Sequence, residues 1–209
     1  MRTRVKICGI TRPEDAVMAA QAGADAIGLV FYPPSPRHLD LELARRLRFC
    51  LPPFVGAVAL FVNPVPELVR EVIDIVKPDL LQFHGEESPA FCASHGMPYI
   101  KACRVKPGAD LLEYLLPYEA ATGWLADAYV EGYGGGGTSF DWSLIPERRP
   151  RPLVLSGGLS PGNVGAAIRT VRPWGVDVSS GVESEKGIKD AAKISAFISE
   201  VMNADLQAA

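Results

Sequence analysis

The chain has 209 residues, 48% hydrophobic and 22% charged, with a formal net charge of −3 and a pI near 5.7. Such a composition belongs to a globular protein long enough for one sizeable core, and the mildly acidic balance without a dense Lys/Arg run excludes a nucleic-acid surface. No apolar run is long enough to span a bilayer, and the N-terminal stretch lacks the h-region of a signal peptide, so no membrane partner is expected.

Two kinds of segment alternate along the chain. RVKICGI at 4–10 is strand-like, and Pro13 then starts the helical EDAVMAAQAG, closed by Gly23 as a helix C-cap. DAIGLVF at 25–31 is a nearly continuous apolar run, as expected of a strand buried on both faces. After a proline-rich loop, LELARRLRFCL at 41–51 has helical spacing, and its basic ARRLR is the solvated face of that helix. The unit recurs as FVGAVALFV before VPELVREVIDIV, DLLQFHG before SPAFCASHG, and PYIKACRV before GADLLEYLL. GWLADAYV leads into a glycine-rich loop, PLVLSGG precedes SPGNVGAAIRTV, and GVDVSSG precedes DAAKISAFISEVM.

About eight βα units imply a parallel sheet. An open doubly wound sheet competes with a closed barrel, but CGITRP stands after the first strand where a dinucleotide-binding sheet would carry G-x-G-x-x-G. The expected fold is a single-domain (β/α)8 TIM barrel spanning residues 1–209, with its site at the C-terminal ends of the strands.

The polar residues at those ends are Cys8, Gln82, His84, Asp127, the SGG of 156–158 and the DVSSG of 177–181. Each has a plainer reading: Cys8 as a small buried hydrophobe, Asp127 as a loop cap, His84 as an exposed loop residue. Two glycines between a strand and a helix, and small donors after the last strand, fit an anion cradle of backbone N–H groups where such barrels bind phosphate; the plainer reading is two ordinary turns. The glycine run in GYGGGGTSF at 132–140 suits a lid as well as a cradle. The four cysteines, Cys8, Cys50, Cys92 and Cys103, show neither C-x-x-C nor disulfide spacing and read as reduced thiols of a cytoplasmic protein. The three histidines lack metal-ligand spacing, so no bound metal is expected.

KICGIT at 6–11, GLVFYPPSPR at 28–37, LQFHGEE at 81–87, GYGGGGTSFDW at 132–142, LSGGLSPGNV at 155–164 and VDVSSGVE at 176–183 resemble phosphoribosylanthranilate isomerase almost end to end and in order. The resemblance implies a (β/α)8 barrel and a cofactor-free Amadori rearrangement in tryptophan biosynthesis. In it N-(5′-phosphoribosyl)anthranilate becomes 1-(2-carboxyphenylamino)-1-deoxyribulose 5-phosphate. It also implies Cys8 as general base, Asp127 as general acid, Arg37 on the anthranilate and Asp177 on the sugar. Main-chain groups around Gly157, Gly158, Ser179 and Ser180 would hold the phosphate, with help from the glycine-rich loop. Gln82 and His84 match family positions. One departure is in the lid: Gly136 and Thr138 stand where family members often carry Thr or Ser and then a Lys. A monomer and a homodimer are both expected assemblies.

Period-two alternation puts Lys6 and Cys8 on one strand face, and closure of a barrel brings that face beside Asp177. Lys6 is expected to pair with Asp177 and to favour the Cys8 thiolate. Asp127, in a partly apolar barrel mouth, is expected to be a carboxylic acid able to donate a proton. Three rivals remain. A related isomerase of histidine biosynthesis uses two aspartates and carries a half-barrel repeat, absent here. A non-catalytic phosphate-binding barrel leaves Cys8 and Asp127 unused, and a flavin-dependent barrel would show flavin absorbance.

Overall fold

The computed structural model describes residues 2–106, 108, 110–128 and 140–207; the glycine run of the expected lid lies outside them. In chain order the elements are β1 (Arg4–Cys8), α1 (Pro13–Ala22), β2 (Ala26–Phe31), α2 (Leu41–Phe49), β3 (Gly56–Phe61) and α3 (Pro66–Val76). They continue as β4 (Leu80–Phe83), α4 (Pro89–Ala93), β5 (Tyr99–Val105), α5 (Leu111–Leu115) and β6 (Gly123–Ala128). A 3-10 turn at Trp142–Leu144 leads to β7 (Leu153–Leu155), α6 (Val164–Val171) and β8 (Gly175–Val178), and a second turn, Ser180–Val182, to β9 (Glu183–Glu185), β10 (Ile188–Lys189) and α7 (Ala191–Gln207). The first eight strands are parallel and close into a barrel, β1 pairing with β8 so that Lys6 faces Asp177 and Ile7 faces Val178.

Local chemistry starts the helices as expected. Pro13 and Pro66 occupy first-turn positions, where the missing N–H costs nothing. Asp40, Ser88 and Asp110 cap α2, α4 and α5 with their side chains. Three features differ from the sequence reading. α4 and α5 have only five residues each. Between β6 and β7 the described residues hold one 3-10 turn and no α-helix. An antiparallel hairpin, β9–β10, fills what read as a loop. Strands of three and two residues are too short to show a period, so only their contacts define them.

Strand alternation divides the apolar residues between two sides of the sheet. Ile7, Leu29, Ala59, Phe61, Phe83 and Trp124 belong to the core between barrel and helices. Phe61 stacks between Phe31 and Phe83 with centroids 5.5 and 5.9 Å away. Inside the barrel, Cys8, Val30, Leu60 and Val62 cluster toward the C-terminal end, and Ile100, Ala102 and Leu125 form a separate lower layer. Between the cavities at its two ends the interior is closed by these side chains. Among the described residues no helix is long and apolar enough to cross a membrane.

At the N-terminal end, carboxylates satisfy strand amides that the ladder leaves over. Val5 N–H donates to Asp25 Oδ2 at 2.9 Å and Ala57 N–H to Asp79 Oδ2 at 2.8 Å. Asp205 in α7 accepts from both Thr3 N–H and Thr3 Oγ1 at 2.7 Å, tying the last helix to the start of β1. Removing that acceptor leaves a partly buried N–H unpaired. Asp205→Ala is expected to lower stability by about 1–3 kcal/mol, read as a lower urea midpoint, and to leave kcat/KM unchanged because the contact lies at the opposite end from the strand C-termini.

Candidate active site

The site begins at the β1–β8 seam. Lys6 Nζ donates to both Asp177 oxygens at 2.9 Å, with both side chains buried. Burial pulls the Lys6 ammonium down, but Asp177 and Cys8 together push it above its ordinary value. Cys8 sits two residues further along the same face, 7% exposed. Burial pushes its thiol up and Asp177 adds to the push, and the cations Lys6 and Lys189 do not cancel the rise. Lys6 does favour the thiolate, as expected, but desolvation outweighs the cations and leaves the Cys8 thiol above its ordinary value.

Gly9 follows Cys8 with φ of +72°. A Cβ there would collide with Arg37 Cδ and lie 3.1 Å from Ser179 Oγ, so the glycine of KICGIT makes room for the arginine as well as turning the chain. Arg37 is 7% exposed, so it is buried and not a solvated loop side chain. Its Nε and Nη2 donate to the two Glu183 oxygens, each at 2.7 Å. One edge of the guanidinium is thus already occupied, and the Nη1/Nη2 edge is the one left for another acceptor. Glu183 also accepts from Lys189 Nζ at 2.8 Å. Burial pushes the Glu183 carboxyl up, yet Arg37 and Lys189 hold it below its ordinary range.

Across the barrel, β4 and β6 form a second chain of contacts. Gln82 Nε2 lies 3.0 Å from His84 Nδ1, and His84 Nε2 lies 3.0 Å from Asp127 Oδ2. With the amide nitrogen donating to Nδ1, the imidazole presents its Nε2 hydrogen to Asp127. Ala128 N–H donates to the other oxygen, Oδ1, at 2.9 Å, so the carboxyl plane is held from both sides. Gln82 and His84 therefore stand behind Asp127.

The two loops after β7 and β8 complete the mouth. Gly157 and Gly158 have φ of +87° and +63°, and a Cβ on Gly157 would strike the Ala128 amide. Asn163 pins this loop, donating to Gly158 O at 2.9 Å and accepting from Ser160 N–H at 2.8 Å. α6 begins only at Val164, one turn beyond the glycines. Among the described residues, the N–H groups of Gly157, Gly158 and Ser180 are given to no protein acceptor. Every residue nominated from the sequence except Lys6 lines one cavity at this mouth; Lys6 lies deeper, on the lower side of the Asp177 layer.

The N-(5′-phosphoribosyl)anthranilate (PRA) isomerase family model matches residues 5–200. The chain belongs to this family. It is 59% identical to the N-(5′-phosphoribosyl)anthranilate isomerase of Leptothrix cholodnii over 98% of this chain and 93% of that one. Among solved structures, the phosphoribosylanthranilate isomerase of Thermotoga maritima superposes with a TM-score of 0.89 at 47% identity, covering 96% and 99% of the two chains. An isomerase solved in complex with reduced 1-(o-carboxyphenylamino)-1-deoxyribulose 5-phosphate gives 0.86 at 45% identity, with coverage again 96% and 99%.

Three site residues escaped the sequence reading. Glu183 ends the VDVSSGVE motif and could have been found as an acid beside a phosphate loop, and Asn163 stands in LSGGLSPGNV. Lys189 carries no signal, since only the hairpin brings it inward. The state of Cys8 can be read chemically, because the thiolate is the reactive form. In a Cys50→Ser background, alkylation of Cys8 by iodoacetamide is expected to keep accelerating with pH past the point where a free cysteine is half ionised. Lys6→Met should move that rise higher still. A rate already level at neutral pH would show a thiolate.

Proposed function

We propose that this chain converts N-(5′-phosphoribosyl)anthranilate to 1-(2-carboxyphenylamino)-1-deoxyribulose 5-phosphate, with Cys8 as general base and Asp127 as general acid. The observation that carries this reading is one cavity lined at once by a thiol, a carboxyl, a guanidinium and two glycine/serine loops. Such a set suits a substrate with a reacting sugar in the middle and an anion at each end. Family membership supports the same reaction. The substrate is a small phosphorylated sugar derivative, and the protein acts in the cytoplasm as a monomer or homodimer, without nucleic acid or membrane.

In the proposed sequence Asp127 gives its proton to the ribose ring oxygen as the C1′–O bond breaks, and the anthranilate nitrogen lone pair forms the C=N bond. The cationic imine acidifies the C2′ hydrogen, which Cys8 removes as thiolate, leaving an enolamine that tautomerises to the ketone. Asp177, held by Lys6, faces the sugar hydroxyls. Gly157, Gly158, Ser179 and Ser180 take the phosphate through N–H and hydroxyl donors, and Arg37 takes the anthranilate carboxylate.

Cys8→Ala and Asp127→Asn are each expected to lower kcat by about 10²–10⁴-fold with the fold intact, the usual contribution of a general base or acid. Because burial raises the Cys8 thiol, the base is mostly protonated in the free enzyme at neutral pH. The wild-type kcat/KM should therefore rise with pH into the alkaline range. Near-normal turnover of Cys8→Ala in a continuous fluorescence assay of substrate loss would reject the base assignment.

The phosphate loop has its own check. Inorganic phosphate should compete with substrate, and Gly158→Asp, which puts a carboxylate beside the anion and a side chain at φ of +63°, should raise both KM and the phosphate inhibition constant by at least about tenfold. Unchanged constants would place the phosphate elsewhere.

A further inference from the structure

We propose that Glu183 and Lys189 are positioning residues that aim Arg37 at the substrate carboxylate and tie that contact to the phosphate loop. This rests on the reading above, in which Arg37 binds the carboxylate. Neither residue lines the cavity; both stand behind residues that do. Glu183 takes the Nε and Nη2 hydrogens of Arg37, at 2.7 Å each, and so fixes the guanidinium plane. A guanidinium held along one edge offers the Nη1/Nη2 edge in a set direction, which a freely rotating side chain does not. Lys189 Nζ, fully buried, bonds Glu183 Oε1 at 2.8 Å, Ser179 O at 3.1 Å and Ser179 Oγ at 3.4 Å. The series Arg37–Glu183–Lys189–Ser179 therefore joins the groups proposed for the two anionic ends of the substrate.

The hairpin that carries both residues is itself fastened. Lys189 N–H donates to the buried Asp15 at 3.1 Å, Asp190 N–H to Val182 O at 2.9 Å, and Lys193 Nζ to Glu183 O at 2.7 Å. Thr11 Oγ1, just past KICGI, donates to Gly187 O at the hairpin turn. Charge fits the same role. Around the seam three basic side chains, Lys6, Arg37 and Lys189, pair with only two carboxylates, Asp177 and Glu183.

The test compares two stable ligands by titration calorimetry: the reduced product analogue, and the same compound without its ring carboxylate. Glu183→Gln, which keeps the shape but not the charge, should weaken the first by about tenfold or more, the scale of one misdirected charge-assisted hydrogen bond. The second should weaken less than about twofold. In kinetics KM should rise while kcat stays within about threefold. Glu183→Asp, one methylene shorter, should give the same selective loss in smaller measure, and it decides the matter if Glu183→Gln does not fold. Lys189→Met should weaken both ligands, because it touches both ends. Arg37→Ala is the control. If it too fails to discriminate between the ligands, the carboxylate assignment falls. If it discriminates and the Glu183 variants do not, the positioning proposal alone is overturned. A Lys189→Met loss confined to the carboxylate ligand would reject the tie to the phosphate loop.

Discussion

Lys6 and Asp177 stand opposite one another where the first barrel strand meets the last, 171 residues apart in the chain and joined by two 2.9 Å contacts. Either charge alone in that layer would be costly, and breaking such a buried pair typically costs about 3–5 kcal/mol. The register that satisfies the pair also sets the layer above it. Cys8 lies two residues beyond Lys6 and Ser179 two beyond Asp177, so a slip at the seam would scatter the proposed base and the phosphate loop together.

From this seam the buried polar groups extend in one direction only, toward the C-terminal mouth. Below it Ile100, Ala102 and Leu125 form an apolar layer above a cavity at the N-terminal end, and outside the sheet Phe31 and Phe83 flank Phe61. Apolar packing supplies the rigidity, and the polar groups borrow it. Lys101 is an instructive contrast: it is fully buried, but on the outer face of β5, where Glu87 and the rings of Tyr114 and Tyr118 surround it. Its pairing supports the β4–α4 connection and has no access to the cavity. The sequence alone does not separate these two kinds of buried lysine; the side of the sheet does.

The two reactive groups are supported in different ways. Asp127 is held by donors on both oxygens, one from His84 and one from its own strand end. Cys8 has no comparable partner set and is governed by desolvation, with cations near enough to moderate the effect but not to reverse it. The proposed acid is thus oriented by fixed donors, whereas the proposed base is set by burial and nearby charge.

Much of this was legible in the linear chain. Alternating apolar runs and helical spacing determine a parallel sheet covered by helices, and the count of about eight units without a dinucleotide-binding glycine motif points to the barrel. Proline and glycine mark helix ends by their backbone limits. Cys8, Asp127 and the phosphate glycines stand at strand ends where chemistry is expected, while Arg37, in the loop after β2, is nominated only by the resemblance that the motifs carry. Period two even forecasts the meeting of Lys6 and Asp177. Other features depended on tertiary structure alone. The occupation of one Arg37 edge by Glu183, 146 residues away, the backing of Asp127 by His84, 43 residues away, and the inward turn of Lys189 on a hairpin too short to show a period are contacts that no local pattern encodes. The ionisation of Cys8 belongs with them: its direction is the balance of burial and Asp177 against Lys6 and Lys189, and burial exists only once the barrel has closed.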